Sequence, residues 1–490
     1  MKHSGMEEII VVPDSYDVIH PFYNRIFLSV LDKIRIALFT ILVLPIRLIG
    51  VAICVAVCWI LSVAGTYGVT EKEIRDYPLE GKRRLVGKYL SFFGRLGFWF
   101  FGVRVQVKGE QATRQEAPVL VVAPHSSFTD LVIGMWMGLP HLVCRAEESR
   151  SLLVGSIMKY SQPVYVVRDD ANSRQNTLKE MIRRATSSAD WRQVMVFPEG
   201  TCTNRKAVIT FKPGAFYPGV PVQPVCLRYA GSEDTISWTW DGPGVLKILW
   251  LTLTKTITTM TIEFLPSVVP SEKEKLDPNL FAENVQLLMA RHLGVPVADY
   301  SFDDAQLVAK SKELGLPSCV GLLNARSVKI ENGINQKMLK GELLEKFASI
   351  ADKELGTITL MSLSCYLGIE EESKSLIKLL NFFDKDFSGY VNFKNYILGY
   401  LDIIRNCMSE ENLPVLYVII KQYNATTLLT KELDVNLLSY ETFRTSVIKK
   451  PELAKYLEIV CSSNNNSHEM RQLISDSRLP VSNCHLSENQ

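Results

Sequence analysis

The first strong pattern along the chain is an apolar run, Ile36–Ala64 (IALFTILVLPIRLIGVAICVAVCWILSVA), in which Arg47 is the one charge and Pro45 stands close before it. A spanning helix needs about 20 apolar residues, and the run exceeds that. It is too long, and too far from the first residue, for the apolar core of a cleaved signal. Two arrangements follow. Leu48–Ala64 crosses once with tilt, or Pro45 breaks the run into a hairpin that dips into one leaflet while Arg47 reaches the headgroups. Basic residues flank both sides (Arg25, Lys33, Arg35; Lys82, Arg83, Arg84), so charge bias leaves the orientation open. A second apolar stretch, Tyr89–Val103, is rich in Phe and Trp and interrupted by Arg95. It suits an interfacial helix better than a span, the alternative being an ordinary buried helix.

From Val107 the pattern changes to short apolar runs bounded by Pro, Gly and polar clusters, alternating with helical periodicity. This predicts an α/β domain. The predicted strands are Val119–Ala123, Val164–Val167, Val194–Phe197, Val222–Leu227 and Met260–Phe264; the predicted helices are Asp130–Leu139 and Ser173–Thr186. Ligands bind at the carboxyl ends of the strands of such sheets. Three strands deliver chemistry there: His125-Ser-Ser after the first, Arg168-Asp-Asp after the second, Glu199-Gly-Thr after the third.

Of the 490 residues 47% are hydrophobic and 22% charged, enough apolar material for a large core, and the net charge of +2 gives no nucleic-acid footprint. Ten cysteines in so long a chain are not a disulfide scaffold, and none pairs as C-x-x-C. Cys54 and Cys58, inside the apolar run, read as buried thiols. His125 precedes Asp130 by five residues across a loop-to-helix turn. A carboxylate there can fix the imidazole tautomer and stabilise its cation, so that the ring abstracts a proton from a hydroxyl. Asp130 reads equally as a helix cap. Ser126 and Ser127 sit in no G-x-S-x-G elbow, which disfavours a serine hydrolase. Arg168, Arg205 and Lys212 form a candidate phosphate site; for each alone, a solvated surface charge is the commoner outcome.

Beyond a transition at about Pro296–Ser327, helical periodicity returns, and Asp384-Lys-Asp-Phe-Ser-Gly-Tyr-Val-Asn-Phe-Lys-Asn395 matches an EF-hand loop. Asp384, Asp386 and Ser388 hold positions 1, 3 and 5, Gly389 allows the turn, and Tyr390 offers its carbonyl. Asn395 replaces the bidentate Glu, so any calcium site is weak. Ala351–Ser362 reads as a partner hand without ligands, and Leu437–Phe443 as the remnant of another. The polar tail from Ser462 reads as disordered.

Four blocks in order, APHSSFTD, the segment Tyr165–Arg168, FPEGT and VPVQPV (Val220–Val225), resemble those of the glycerophospholipid acyltransferases. EGTCTNR with FKPGAF, together with the EF-hand region, resembles more closely the lysophosphatidylcholine acyltransferases of types 1 and 2. Cys202 departs from the wider family, where an Arg follows EGT, and leaves open whether Arg205 takes over its phosphate role. The resemblance implies an α/β acyltransferase domain with an N-terminal membrane-embedded helical segment and a C-terminal all-α EF-hand-like region. The boundaries are an N-terminal cytosolic tail at 1–35, membrane-anchoring helices at 36–105 and the acyltransferase domain at 106–300. A linker at 301–335, EF-hand-like hands at 336–460 and a disordered tail at 461–490 complete the chain. It implies acyl-CoA-dependent reacylation of a lysophospholipid, foremost lysophosphatidylcholine to phosphatidylcholine, with acetylation of lyso-platelet-activating factor as a further donor choice. His125 would act as general base, Asp130 would orient it, and Arg168, Glu199, Gly200, Thr201, Arg205 and Lys212 would hold the glycerophosphate. No cofactor is required, calcium is optional at 384–395, and the bilayer is the expected partner, with a homodimer left open. The implied address is the endoplasmic reticulum membrane, the Golgi or the lipid droplet. The alternatives are action on lysophosphatidic acid and a catalytically silent membrane adaptor.

Overall fold

In the computed structural model the N-terminal apolar run folds as two helices. The structure describes residues 19–405 except 146–151, 167–172, 232–233, 333–338, 369 and 373. Helix α1 (Val30–Leu42) begins inside the expected tail, because Ser29 and Asp32 form a capping box. The chain breaks at Val43, and Pro45 occupies the first turn of α2 (Leu44–Thr66), where its missing N–H costs nothing. Among the described residues α2 is the one helix long and apolar enough to cross a membrane. Its buried stripe is Gly50, Cys54, Cys58, Ser62 and Gly65, spaced by four and then three residues. After a short α3 (Glu71–Asp76), α4 (Gly81–Phe100) packs on that stripe. A Cβ on Gly50 would lie 2.3 Å from the Phe100 ring, and one on Gly97 3.2 Å from Cys54. The opposite face of α2, with Ile46, Ile49, Ile53 and Ile60, is exposed.

Two expectations change here. The predicted interfacial helix is the second half of α4 and has a packed side: Leu90 and Phe98 are buried, whereas Tyr89, Phe92 and Trp99 are exposed. Val103 already belongs to a strand. Arg47 does not reach outward. It donates hydrogen bonds to the carbonyls of Leu253 and Lys255 (2.7 Å each) and Thr256 (2.8 Å), the first of them at a helix end, where carbonyls lack helical partners.

The sheet comprises β1 (Val103–Lys108), β2 (Val119–Ala123), β3 (His141–Arg145), β4 (Val164–Val166), β5 (Val194–Val196), β7 (Val222–Tyr229) and β8 (Thr258–Phe264), in the order β1-β8-β7-β2-β5-β3-β4. The remaining strand before β7, β6 (Val208–Ile209), pairs outside it with β9 (Val297–Ala298). All neighbours in the seven-stranded sheet are parallel except β7 and β8. All five predicted strands are present. β1 and β3 escaped the pattern because β1 alternates apolar with polar residues and β3 is bounded by His141 and Arg145. Residues of β2 are wholly buried, as expected for a central strand covered on both faces. The predicted helix Asp130–Leu139 is a 3-10 turn, Phe128–Met135. Connecting helices are α5 (Leu152–Tyr160), α6 (Ser173–Thr186), α7 (Val245–Leu253), α8 (Glu272–Leu276) and α9 (Pro278–Leu293).

The chain divides into two compact units, residues 1–305 and 306–490. The expected linker is largely helical: α10 (Phe302–Glu313), begun by Ser301 whose N–H and hydroxyl bond to Asp304, is followed by a helix at Ala325–Asn332. In the second unit two helix–loop–helix pairs follow. Leu344–Ile350 and Leu360–Leu367 flank one loop; Lys374–Phe383 and Phe393–Arg405 flank the other. The loops are joined by an antiparallel bridge, Ile358 opposite Val391 and Thr359 opposite Tyr390. Phe347, Leu379, Phe393 and Ile397 lie in their common core. The expected remnant at Leu437–Phe443 and the tail lie outside the described residues.

Candidate active site

β2 delivers His125 to the sheet's carboxyl edge, and the turn that follows is fixed by one carboxylate. Asp130 Oδ2 accepts from the amides of Ser126 (2.6 Å) and Ser127 (2.9 Å) and meets His125 Nδ1 at 3.0 Å. Its other oxygen accepts from the Tyr229 hydroxyl, which arrives at the end of β7. The same residue therefore closes a capping box with Ser127 and orients the imidazole. Asp130 is fully buried, while the His125 side chain keeps 16% of its surface accessible, enough to meet a substrate. Phe197 lies against its ring at 4.3 Å between centroids.

The electrostatics follow from these contacts. Burial works against the Asp130 charge, but His125, the Tyr229 hydroxyl and the Ser126 amide outweigh it and hold the carboxyl below its usual range. Burial likewise opposes the imidazolium, yet Cys202 and Asp130 together hold His125 well above its ordinary value. Burial and the Asp130 charge push the Tyr229 phenol well up, so it remains a donor.

The loop after β5 hangs on His125 from both sides. Glu199 Oε2 accepts the His125 amide at 2.6 Å and Oε1 the Ile209 amide at 3.2 Å, while the Thr203 amide donates to the His125 carbonyl at 2.8 Å. Burial pushes the Glu199 carboxyl up to about 7. Gly200 has φ +66°, and a Cβ there would stand 2.8 Å from Lys212 Nζ, so only glycine suits the turn. Thr201 Oγ1 accepts the Trp240 indole N–H at 2.7 Å. Lys212 Nζ lies 5.0 Å from the Phe302 ring centre. Arg205 pairs with Asp234 at 2.9 Å, donates to the Ser237 hydroxyl at 2.8 Å and lies over the Tyr229 ring. The structure thus brings His125, Asp130, Glu199, Gly200, Thr201, Arg205 and Lys212 to one edge; Arg168 lies outside the described residues. Tyr229, Trp240 and Phe197 belong to the same cluster and were not singled out beforehand. The one available signal was that Tyr229 follows a predicted strand, Val222–Leu227, by two residues.

In the second unit, Asp384 Oδ1 accepts from the Ser388 amide (3.0 Å) and hydroxyl (2.9 Å), and its Oδ2 from the Gly389 amide (2.7 Å). The Ser388 hydroxyl also lies 2.9 Å from the Tyr390 carbonyl, and Asn395 Nδ2 donates to Asp386 at 3.0 Å. Among the described residues no group of three or more His, Cys, Asp or Glu side chains converges as metal ligands.

A strand-terminal histidine oriented by a buried carboxylate, on a sheet with this loop, defines an acyltransferase domain, and the acyltransferase family model matches residues 104–228. The chain is 41% identical to lysophosphatidylcholine acyltransferase of Drosophila melanogaster, across 80% of this chain and 74% of the relative. Lysophosphatidylcholine acyltransferase 2 of Danio rerio matches at 37% (90% and 89%), and type 1 of Rattus norvegicus at 40% (83% and 75%). The solved 1-acyl-sn-glycerophosphate acyltransferase PlsC of Thermotoga maritima aligns at 20% identity and a TM-score of 0.37, covering 54% of this chain and 96% of that one. The chain belongs to the lysophosphatidylcholine acyltransferase family and is an enzyme that transfers acyl groups.

Proposed function

We propose that the protein transfers an acyl chain from acyl-CoA to the free hydroxyl of lysophosphatidylcholine, giving phosphatidylcholine. The observation that carries this is the hydrogen bond from Asp130 to His125 Nδ1 at the carboxyl edge of β2. With Nδ1 engaged, Nε2 takes the proton of the attacking hydroxyl as the oxygen adds to the thioester carbonyl. The tetrahedral intermediate collapses, the C–S bond breaks, and the imidazolium returns the proton to the departing CoA sulfur. Asp130 steadies the cation between the two steps. Neither a metal nor an acyl-enzyme enters this sequence. Lys212 and Arg168 are the cations we assign to the glycerophosphate; Gly200 lets the chain turn beneath Lys212. Arg205, paired with Asp234, adds its field from behind Tyr229. Glu199 and Thr201 support the site through His125 and Trp240.

The enzyme works at a membrane surface on this reading. The packed stripe of α2 extends from Gly50 to Gly65, so the helix lies along the domain and offers its isoleucine face to lipid. The endoplasmic reticulum, Golgi or lipid-droplet address implied by the family resemblance is part of the same proposal. We read the second unit as a pair of EF-hands kept for structure. The donor set at 384–395 fits a divalent cation poorly: Asp384 is occupied by the loop's own N–H and O–H groups, and Asn395 turns its amide N–H toward Asp386.

The test is acyl transfer by purified protein in vesicles. Lysophosphatidylcholine, lysophosphatidic acid and lyso-platelet-activating factor are each offered with palmitoyl-CoA, a polyunsaturated acyl-CoA and acetyl-CoA. Transfer to lysophosphatidylcholine, lost in His125→Ala by about a thousandfold or more, is expected. Undiminished transfer by His125→Ala would remove His125 from the chemistry.

A further inference from the structure

The connection between β7 and β8 carries α7, which has two unlike sides. Ile248, Leu251 and Leu253 are buried. Val245, Leu246 and Trp250 are exposed, Leu246 at 77%. Three large apolar side chains bared on one short helix need a covering that water does not supply.

What lies around α7 says what covers it. Its C-terminal carbonyl and those that follow take the guanidinium of Arg47 from α2. Its Trp250 indole N–H donates to Thr40 of α1 at 2.9 Å. α7 is therefore bonded to both helices of the apolar anchor, whose own exposed side chains include Leu38, Ile41 and Ile46. On its other side, the loop entering α7 is pinned to the site: the Trp238 amide donates to the Ser126 carbonyl at 2.8 Å, and Trp240 to Thr201. Both indoles remain about two-fifths exposed (42% and 40%). Tryptophans gather where an apolar layer meets headgroups. A surface continuous with the anchor, with indoles at the rim of the site, matches a bilayer rather than a protein groove.

Building on the membrane-surface reading above, we propose that α7 inserts its Val245–Leu246–Trp250 face into the interfacial layer of the bilayer. It is the catalytic domain's own lipid contact and sets the mouth of the site at the level where a lysolipid presents its hydroxyl.

The experiment uses the full chain in phosphatidylcholine nanodiscs. Leu246→Trp adds an emitter at the tip of α7. Phosphatidylcholine brominated near the headgroup end of its chains is expected to quench the added emission, and aqueous iodide to leave it unchanged. In vesicles, Leu246→Asp is expected to raise KM for long-chain lysophosphatidylcholine about tenfold, the order set by keeping one leucine out of lipid. Turnover of a short-chain, monomeric lysophosphatidylcholine stays within about twofold of wild type, and a thermal melt confirms that the variant folds. Emission quenched by iodide and not by bromine overturns the proposal, and so does emission shielded from both, which would mean that a second copy or another protein covers the helix. Wild-type protein that transfers acyl groups but does not bind vesicles would sink the membrane-surface reading and this one together. Wild-type protein that binds and transfers while the emitter stays in water sinks this one alone.

Discussion

At the residue scale Asp130 does two jobs with one carboxylate: it ties the turn after β2 and holds His125. Tyr229 completes it, giving the second oxygen of a fully buried carboxylate its partner. Tyr229→Phe removes that donor and leaves the carboxylate less stable as an anion. Asp130 stays ionised, and with its charge no longer shared with the phenol it holds the imidazolium more strongly, so the His125 pKa rises further. Because the base works only when neutral, the wild-type rate should climb with pH over a range above that of an ordinary imidazole. The rising limb of Tyr229→Phe should move to higher pH, and its plateau kcat should drop about tenfold with KM little changed, the loss of one buried hydrogen bond to a charged group. An unmoved limb would make Tyr229 a packing residue only. His125 and Asp130 were legible from sequence because five residues across one turn encode their meeting. Tyr229 and Trp240 were not, because they come from far along the chain and nothing local marks them. The pairing of Glu199 with two backbone amides was equally hidden, since the motif gives the carboxylate but not where it points.

At the element scale, the central strands were readable because burial on both faces leaves continuous valine runs. β1 and β3 were not, one alternating and one bounded by polar residues. Pro45 marked the break between α1 and α2 because a ring without N–H is tolerated in a first turn and not in an interior. The small-residue stripe on α2 was hidden inside an apolar run whose composition says membrane and whose spacing says packing. Gly50→Leu tests that spacing. Its side chain would enter the Phe100 ring, and α4 must move away. A loss of roughly 1–3 kcal/mol in unfolding free energy is expected in detergent; an unchanged melt would mean that α2 does not sit on α4. In the second unit the loop pattern was legible but not its internal saturation. Addition of a calcium chelator, followed by excess calcium, should leave both Tm and acyl transfer unchanged. A calcium-dependent rise in Tm that Asp384→Ala abolishes would restore the metal site.

At the scale of the whole molecule, the packing of α2 bears on the membrane-surface proposal. A helix that crosses a bilayer alone must leave its domain within a turn or two, because lipid then surrounds it. α2 instead meets the domain at Gly50 through Phe100, at Cys58 through the Leu90 carbonyl and at Gly65 through Tyr160, nearly end to end. Arg47 supports the same arrangement: its three carbonyl partners lie at the end of α7 and in the turn before β8, so the start of α2 cannot withdraw into lipid without unpairing a half-buried guanidinium. On the membrane-surface reading, the chain before α1 and the sheet after α4 are expected on one side of the membrane. An epitope placed ahead of Ser29 and another in the exposed loop at Gly68 should both be cut by protease added outside sealed vesicles that carry the enzyme outward, and both should be protected when it faces inward. Cleavage of one with protection of the other would mean that α2 crosses, and the isoleucine face would then be a lipid-facing side of a span rather than the underside of a surface-bound enzyme.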